Sequence, residues 1–353
     1  MKKSFIVLLS IILSSCVYND NLKIDDYIKI ENTADNREIG YEGGTVFITL
    51  NTNNDWFVEC DYEWCHVVNT EGAASDNAIV KILCDENFTS TKRYATISVM
   101  AGETNETTYI IQNGINPDSA VIIGSVAYVN SNNAGNLYKM LYESINEEST
   151  ETEWGNEIWG FIHEIYIYGN IDARDFNTMK WNLRNLETVD ISNTKIQAYS
   201  GKYGTDEGYG MDYDENTIPC GWFFYWCANV LREFPEELYD EGNSSIKKVV
   251  LPDGIVNIRF NAFARAYNLT ELNIPEGVET IGDCAFRYCK SIEKLYLPST
   301  LKSVGWLCFT EMTSLKEVHI KAENMPSGDD LFGYYPDDAG GNRGWVLDRK
   351  SVV

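Results

Sequence analysis

The feature that most constrains this chain is a fixed internal period. Three consecutive segments are each 23 residues long: IKKVVLPDGIVNIRFNAFARAYN from Ile246, LTELNIPEGVETIGDCAFRYCKS from Leu269 and IEKLYLPSTLKSVGWLCFTEMTS from Ile292. A fourth begins LKEVHIK at Leu315. The register is strict. Pro252, Pro275 and Pro298 align, as do Phe263, Phe286 and Phe309, and Ile258, Ile281 and Val304. A unit this short cannot enclose a core alone, but stacked copies bury a continuous one, so the period predicts a solenoid.

Each column has a physical role. Val249 and Leu251, Leu272 and Ile274, Leu295 and Leu297, and Val318 and Ile320 alternate at period two, which predicts a short strand with one buried face. The proline that follows has no N–H to give and ends the strand. The phenylalanine column is expected to stack inside the coil. Ala262, Ala285 and Cys308 share one column, and Ala266, Cys289 and Met312 another, so Cys289 and Cys308 read as packing thiols. The outward positions form a ladder of alternating sign: Lys248, Glu271, Lys294, Glu317. Beside it run Val250, Asn273, Tyr296 and His319. Neighbouring strands place such side chains about 5 Å apart, and an opposite-charge pair there contributes about 0.2–1 kcal/mol. Two readings stand. The ladder keeps the sheet soluble by self-neutralisation, or it is a mixed-charge protein-binding face anchored by Tyr166, Tyr168 and Tyr296, with His319 beside them.

The repeat resembles the BspA-type leucine-rich repeats, whose pattern of Ala-Phe, Cys, paired strand leucines and Ile-Pro it carries from 246 to 320. The resemblance extends weakly upstream through IHEIYIYGNIDARDF (Ile162 to Phe176) and LETVDIS (Leu186 to Ser192). Before them, AGNLYKMLYESI (Ala134 to Ile145) has the spacing of an amphipathic helix and is expected to shield the first coil. Repeats are therefore expected over 161–335, with a cap over 115–160, an insertion at 197–217 and a turn-rich tail at 336–353 that closes the last coil.

The aromatic run WFFYW, Trp222 to Trp226, is placed by the same register. Laying WFFYWCANV over CAFRYCKSI puts Phe224 on Phe286 and Phe223 on Ala285, both packing positions. Trp222, Tyr225 and Trp226 then fall on Cys284, Arg287 and Tyr288. They are expected near the surface, either contacting a ligand or covering the insertion before them. That insertion, SGKYGTDEGYGMDYDEN (Ser200 to Asn216), is rich in glycine, tyrosine and acid, and solenoid insertions map to one face, often the binding face. Its DYDENT resembles the start of a calcium loop. However, Thr217 stands where the turn glycine belongs and Phe223 where the bidentate glutamate belongs, so no metal site is expected.

Residues 35–114 have strand periodicity and no helical one. In GGTVFITLNTNNDWFVEC, Val46, Ile48 and Leu50 lie on one side and Thr45, Phe47 and Thr49 on the other. NAIVKIL, RYATISV and TTYIIQ repeat the pattern between polar turns, which argues a two-sheet sandwich of immunoglobulin type. The stretch resembles a BACON domain in its Gly-Gly-Thr, its NNDWFV, its WCHVV, its NFTSTKRYATISV and its closing IIQNG. The resemblance implies either sugar binding or a spacer between a membrane anchor and a working domain. Trp56, within an alternating strand, reads as core rather than platform. Trp64 is open to either reading. The expected fold class is thus a multidomain chain: an all-β immunoglobulin-like sandwich, then a leucine-rich-repeat solenoid with a parallel sheet and short helices.

The N-terminus reads MKKSFIVLLSIILSSC. Lys2 and Lys3 precede an apolar run, Phe5 to Leu13, that is too short to span a bilayer and fits a signal sequence. LSSC resembles a bacterial lipobox, which implies that 1–16 is a lipoprotein signal segment whose Cys16 is lipidated and becomes the first mature residue after cleavage, and that 17–34 is a linker. More than one acyl chain gives stable anchoring. Val17 is not the aspartate that favours inner-membrane retention, so the outer membrane, facing the cell exterior, is expected.

The remaining chemistry points away from catalysis. There are three histidines, His66, His163 and His319, and no position allows a Ser-His-Asp or Cys-His arrangement. Phosphate loops, nucleophile elbows and HExxH are missing from the sequence. No cofactor is expected. A formal charge of −25, with no basic run, opposes nucleic-acid binding. Cys60, Cys65, Cys84, Cys220, Cys227 and Cys284 form no CxxC pair and read as structural thiols. An exported protein can form disulfides, but the sequence does not name the pairs. The expectation is a non-catalytic cell-surface recognition protein whose solenoid binds a host or cell-surface protein or glycoprotein, with the sandwich as spacer or auxiliary binder. The alternative is a glycan-binding lipoprotein for polysaccharide or mucin capture.

Overall fold

The computed structural model describes residues 26–31, 38–146, 159–205, 210–223 and 245–321. Cys16, the linker up to residue 25, Phe224, Tyr225, Trp226, Cys227 and the 336–353 tail lie outside the described residues. The chain is multidomain and β-rich, with two helices among the described residues. It divides into two compact units, one of residues 1–86 and 93–113, the other of residues 87–92 and 114–353.

Among the described residues the first unit holds nine strands: β1 Ile28–Ile30, β2 Glu38–Ile39, β3 Gly44–Thr52, β4 Trp56–Cys60, β5 Cys65–Val67, β6 Glu71–Gly72, β7 Ser75–Cys84, β8 Arg93–Ala101 and β9 Thr104–Gln112. They form two sheets, in the orders β1-β3-β7-β5 and β2-β9-β8-β4-β6. All pairings are antiparallel except β2 with β9. The alternation in β3 decides its faces. Val46, Ile48 and Leu50 are buried in a core that also takes Val80 and Ile82 of β7 and Ile97, Val99 and Ile110 of the other sheet. Phe47 points outward. Trp56 joins the core and its indole N–H donates to the Ala73 carbonyl at 3.1 Å. Gly72 lies under that ring, where a Cβ would meet the indole.

The second unit begins with a hairpin, β10 Ser119–Ile123 and β11 Val126–Ser131, which the sequence reading placed in an undivided cap. Helix α1, Leu137–Asn146, follows. Then come β12 Glu164–Ile171, α2 Ala173–Asn182 and β13 Thr188–Ile196. A hairpin, β14 Tyr199–Gly201 with β15 Met211–Tyr213, occupies the insertion. The coils that follow supply β16 Thr217–Ile218, β17 Lys248–Val250, β18 Asn257–Ile258, β19 Glu271–Leu272, β20 Thr280–Ile281, β21 Lys294–Leu297, β22 Ser303–Val304 and β23 Glu317–Ile320.

Helix α2 starts with a capping box. Asp172 accepts from the Arg174 N–H, and Asp175 accepts from the Asp172 N–H. Asp175 reaches further, accepting from Gly135 at 2.6 Å and Leu137 at 2.9 Å, so one buried carboxylate pins the start of α1 to the start of α2. Burial pushes its pKa up to about 6 against the pull of those three N–H groups.

The coils are stacked by parallel bridges. Strands β16, β18, β20 and β22 form one ladder, with Asn257, Thr280 and Ser303 in register. Inside, the phenylalanine rings stack as the period demands. Phe263 and Phe286 are 5.1 Å apart and nearly coplanar in tilt, and Phe286 and Phe309 are 5.8 Å apart. All three are buried, as are Ala262, Ala285, Cys308, Ala266, Cys289 and Met312. Burial raises the Cys289 and Cys308 thiols above their ordinary values, which keeps them protonated and inert. Each coil turns through left-handed residues at the same two places: Asn261, Cys284 and Leu307, and then Arg265, Tyr288 and Glu311. In these three coils no glycine marks the turns, so their strain was not visible in composition.

The other face is a parallel sheet in the order β10-β11-β12-β13-β17-β19, with β10 antiparallel at its edge. The unbroken charge ladder expected from Lys248 to Glu317 is interrupted. Strand β19 bonds to β17, and among the described residues β21 bonds to β23 alone, as a separate pair. Asn273 and half-exposed Leu272 stand at the break, where the other coils keep a longer strand.

Candidate functional site

The exposed sheet faces of the second unit carry Tyr166 and Tyr168 on the six-stranded sheet, and Tyr296 and His319 on the separate β21–β23 pair. Inward-facing Ala127, Ile165, Val189 and Val249 form one row of the core, so their neighbours in each strand face out. Tyr128, Tyr166, Asp190 and Val250 form the outward row in direct register. Tyr128 stacks on Tyr166 at 5.4 Å, and Phe88 stacks on Tyr128 at 4.3 Å. The Tyr166 hydroxyl donates to Glu164 at 2.9 Å. Burial, with that carboxylate beside it, pushes the Tyr166 phenol up to about 12. Burial, then Asp190, raises Tyr168 as well. Both phenols are therefore neutral donors at physiological pH.

Further along, Tyr296 stacks on His319 at 4.6 Å, since β21 and β23 pair them directly. Tyr296 is 43% exposed. His319 bonds to Glu317 at 3.0 Å, and Glu317 also takes Lys294 at 3.1 Å. These two partners hold the Glu317 carboxyl below the usual carboxylate range. Lys248 pairs with Glu271 at 3.2 Å. The lysine and glutamate charges are well exposed, so solvent screens each pair and its contribution to stability is small. Where the ladder is interrupted, the surface sinks into a depression of about 660 Å³ lined by Lys248, Val250, Glu271, Asn273, Lys294 and Tyr296.

The six-stranded sheet thus brings Tyr166 and Tyr168 together, and the β21–β23 pair brings Tyr296 and His319 together, but the two pairs lie apart. They are four strand positions apart, roughly 19 Å or more at the usual spacing. Tyr128 and Phe88 were missed by sequence reading. The alternating VAYVNS of β11 was the available signal for Tyr128.

Trp222 is not at the surface, and its expected role as a ligand contact is corrected. The Phe223 N–H donates to the Ala262 carbonyl at 3.3 Å, as that of Phe263 does to Ala285 at 2.8 Å. Gly221 bonds to Phe260 as Asn261 does to Asp283, and Gly221 shares the left-handed φ of that column, 56° against 54°. Phe223, not Phe224, therefore stands in the phenylalanine column, one residue earlier than the alignment above. The shift carries Trp222 into the buried Ala262 and Ala285 column. It is 0% exposed and packs against Phe176 of α2 at 4.6 Å and Phe263 at 5.9 Å. A signal was present: Pro235 stands at the same spacing from Phe223 as Pro275 from Phe263 and Pro298 from Phe286.

The insertion folds back as a clasp. Tyr213 packs with Ala173 and Cys220, with Tyr199 and Met211 against them. Buried Lys180 donates to the Thr205 carbonyl at 3.1 Å, and Arg259 donates to the Asp212 carbonyl at 2.7 Å. The segment that resembles the start of a calcium loop is a turn, residues 214–216, between the strands Met211–Tyr213 and Thr217–Ile218.

In the first unit, Trp64 is half-buried. The Arg93 guanidinium sits over its ring at 4.3 Å, and Tyr62 lies tilted at 6.3 Å. Arg93 is fixed by Gln112 at 2.8 Å and by the Asp85 and Glu86 carbonyls at 2.9 Å. One face of Trp64 is thus occupied. The sheets also expose Phe47, Ile79, Tyr94 and Tyr109, none of which the sequence reading named as a site.

Comparison with known proteins bears on the same two regions. No curated protein matches the chain. Among solved structures it is similar to a Bacteroides ovatus GH5 xyloglucanase in complex with a XXXG heptasaccharide, at 15% identity over 47% of this chain and 45% of that one, TM-score 0.23. It is also similar to a T. pallidum leucine-rich repeat protein, at 14% identity over 56% and 58%, TM-score 0.26. A third is the pneumococcal vaccine antigen PcpA, at 20% identity over 48% and 54%, TM-score 0.21. The chain spans about half the length of these structures, and at such scores the likeness decides neither fold nor ligand. The family models are more specific, and both describe kinds of domain that are typically non-catalytic binding modules. Residues 54–113 match the BACON model, "Putative binding domain, N-terminal", and residues 233–335 match the BspA type leucine rich repeat region in six copies, so the chain joins an N-terminal BACON domain to a BspA-type repeat region.

Proposed function

We propose that this chain is a non-catalytic cell-surface recognition protein in which the exposed sheet face of the second unit binds a protein or glycoprotein partner, in the manner of an adhesin. The observation that carries the reading is the layout of that face. Two stacked aromatic pairs, Tyr128 with Tyr166 and Tyr296 with His319, flank a shallow depression edged by Lys248, Glu271 and Lys294. Small-molecule sites are concave and mostly apolar. A broad face of tyrosines among charges of both signs suits a protein surface, where aromatic anchors carry the energy and charges set register.

In this reading the first unit is an immunoglobulin-type sandwich acting as spacer or auxiliary binder, and the second is a leucine-rich-repeat solenoid. A lipid on Cys16 tethers the chain to the outer membrane, facing outward, a reading supported by the LSSC motif. A second reading, glycan capture, is favoured by exposed Tyr62 beside half-buried Trp64, because sugar rings stack on aromatic faces.

The test is a binding screen of the whole chain against mucins, extracellular-matrix proteins and a glycan array. Tyr166→Ala and Tyr296→Ala are expected to weaken capture of a protein partner tenfold or more, about 1.4 kcal/mol, while Trp64→Ala leaves it unchanged. Loss on Trp64→Ala alone, with glycan signal, would replace the first reading by the second.

A further inference from the structure

Three thiols of the first unit lie together: Cys60, Cys65 and Cys84. Cys65 of β5 and Cys84 of β7 are direct cross-strand partners. They are 3% and 6% exposed. The ladder around them fixes which kind of pair they make. The Asp85 N–H donates to the Trp64 carbonyl at 2.9 Å, and the Val68 N–H to the Lys81 carbonyl at 2.8 Å. Bonded pairs alternate with unbonded ones along an antiparallel ladder, so Cys65 and Cys84 are an unbonded pair, with Cα atoms about 4.5 Å apart. That lies within the roughly 4.4–6.8 Å that a disulfide spans. Directly opposite residues also project from the same side of the sheet, so the two sulfurs face each other. The Cys65 thiol is in hydrogen-bond reach of both Cys84 and Cys60. Cys60 is the half-buried member of the three, and so the one open to a reagent.

We propose that Cys65 and Cys84 form a cross-strand disulfide tying β5 to β7, with Cys60 as the thiol through which an external disulfide oxidant enters. The oxidant is a small or protein disulfide. The Cys60 thiolate attacks it, forming a mixed disulfide and releasing one external thiol. The Cys65 thiolate attacks the Cys60 sulfur and releases the second external thiol. The Cys84 thiolate then attacks the Cys65 sulfur, which forms the Cys65–Cys84 bond and returns Cys60 as a thiol. Two protein thiols lose two electrons and two protons, and one external disulfide becomes two thiols. The Cys84 thiol is suited to the last step. A hydrogen bond from Cys65 and the nearby Arg93 guanidinium hold it below its ordinary value, while that same bond and burial push the Cys65 thiol up, so Cys65 hands its proton to Cys84 before it attacks Cys60. The bond is formed in the cell only if the protein is exported, but the chemistry is independent of what the protein binds.

The test is a thiol map of the full chain. The protein is equilibrated with oxidised glutathione, free thiols are capped with iodoacetamide, and the chain is cut with trypsin and a glutamyl endopeptidase. Glu63 and Lys81 lie between the three cysteines, so the products separate them. The expected result is a Cys65–Cys84 linked peptide, with Cys60 capped. Cys60→Ala is expected to form the same link at least tenfold more slowly with oxidised glutathione. The oxidised protein is expected to melt about 5 °C higher than the reduced one. Recovery of Cys65 and Cys84 both capped, or of Cys60–Cys65 as the only bond in the unaltered chain, would overturn the pairing. A Cys60→Ala rate equal to that of the unaltered chain would overturn the relay. Because the map involves no ligand, its failure is distinct from failure of the binding reading.

Discussion

In the first unit core side chains meet partners that share no repeat position: Ile48 of β3 faces Val80 of β7, and Val58 of β4 faces Val99 of β8. In the second, Phe263 meets Phe286, which meets Phe309, the same position one coil further on. The first core is built by alternation along strands far apart in sequence, the second by recurrence at short range. The difference teaches where damage spreads. Stability in a stack of coils is a sum of coil terms and nearest-neighbour terms, so a lesion is felt chiefly by the coils on either side. In a two-sheet core the strands close on one another and are lost together.

The sharpest test of that contrast is a pair of large-to-small changes. Phe286→Ala removes a ring stacked on both sides and is expected to cost about 3–5 kcal/mol, as is Trp56→Ala in the first unit. In urea melts followed by hydrogen exchange, Phe286→Ala should loosen 246–320 and leave β3, β7 and β8 protected. Trp56→Ala should expose the whole first unit at once. Equal loss of protection in both units for either variant would break the comparison.

Trp222→Ala belongs to the same class and is expected to cost about 3–5 kcal/mol, because the indole fills the space between Phe176 and Phe263. It should lower the denaturant midpoint and leave partner affinity of the folded protein unchanged. A variant of native stability with lost binding would return Trp222 to the surface.

Asp175 sharpens the contrast by pH. Its folded pKa, about 6, lies above its unfolded value, about 3.9. The folded state therefore holds the proton more tightly, and stability of the second unit should fall as pH rises from about 4 to about 6, then level off. Asp175→Asn should remove that slope and cost about 1–3 kcal/mol at pH 7, since an amide cannot accept from all three N–H groups. A slope that persists in Asp175→Asn would assign it to another group.

The smallest effect is expected on the exposed face. Lys294→Ala removes one exposed partner of Glu317 and should leave the melting temperature nearly unchanged, with any change fading at high salt. A larger loss would mean that the pairs on this face hold the coils together.

Much of this could be read from one chain. Phe263, Phe286 and Phe309, the strand pairs from Val249 to Ile320, and the two faces of β3 follow from spacing alone, because a fixed period leaves each side chain one place to go. Three things did not follow. The Trp222 column depended on a one-residue register, which five adjacent aromatics could not distinguish. The break between β19 and β21 depended on backbone pairing, which Asn273 and Leu272 do not announce. Asp175 looks like any acid at the start of a helix, and only the folded chain brings Gly135 and Leu137 to it.

What the sequence determined by itself is periodicity: where strands recur, which side faces in, and that alternating charge lines the outer sheet. Periodicity is a local property, written in residue spacing. Tertiary structure alone decided which distant groups meet: Tyr128 on Tyr166, Tyr296 on His319, and Cys65 opposite Cys84. The reason is that register between strands is set by the sum of many side-chain and backbone contacts, and a slip of one residue exchanges the inside of the molecule for its surface.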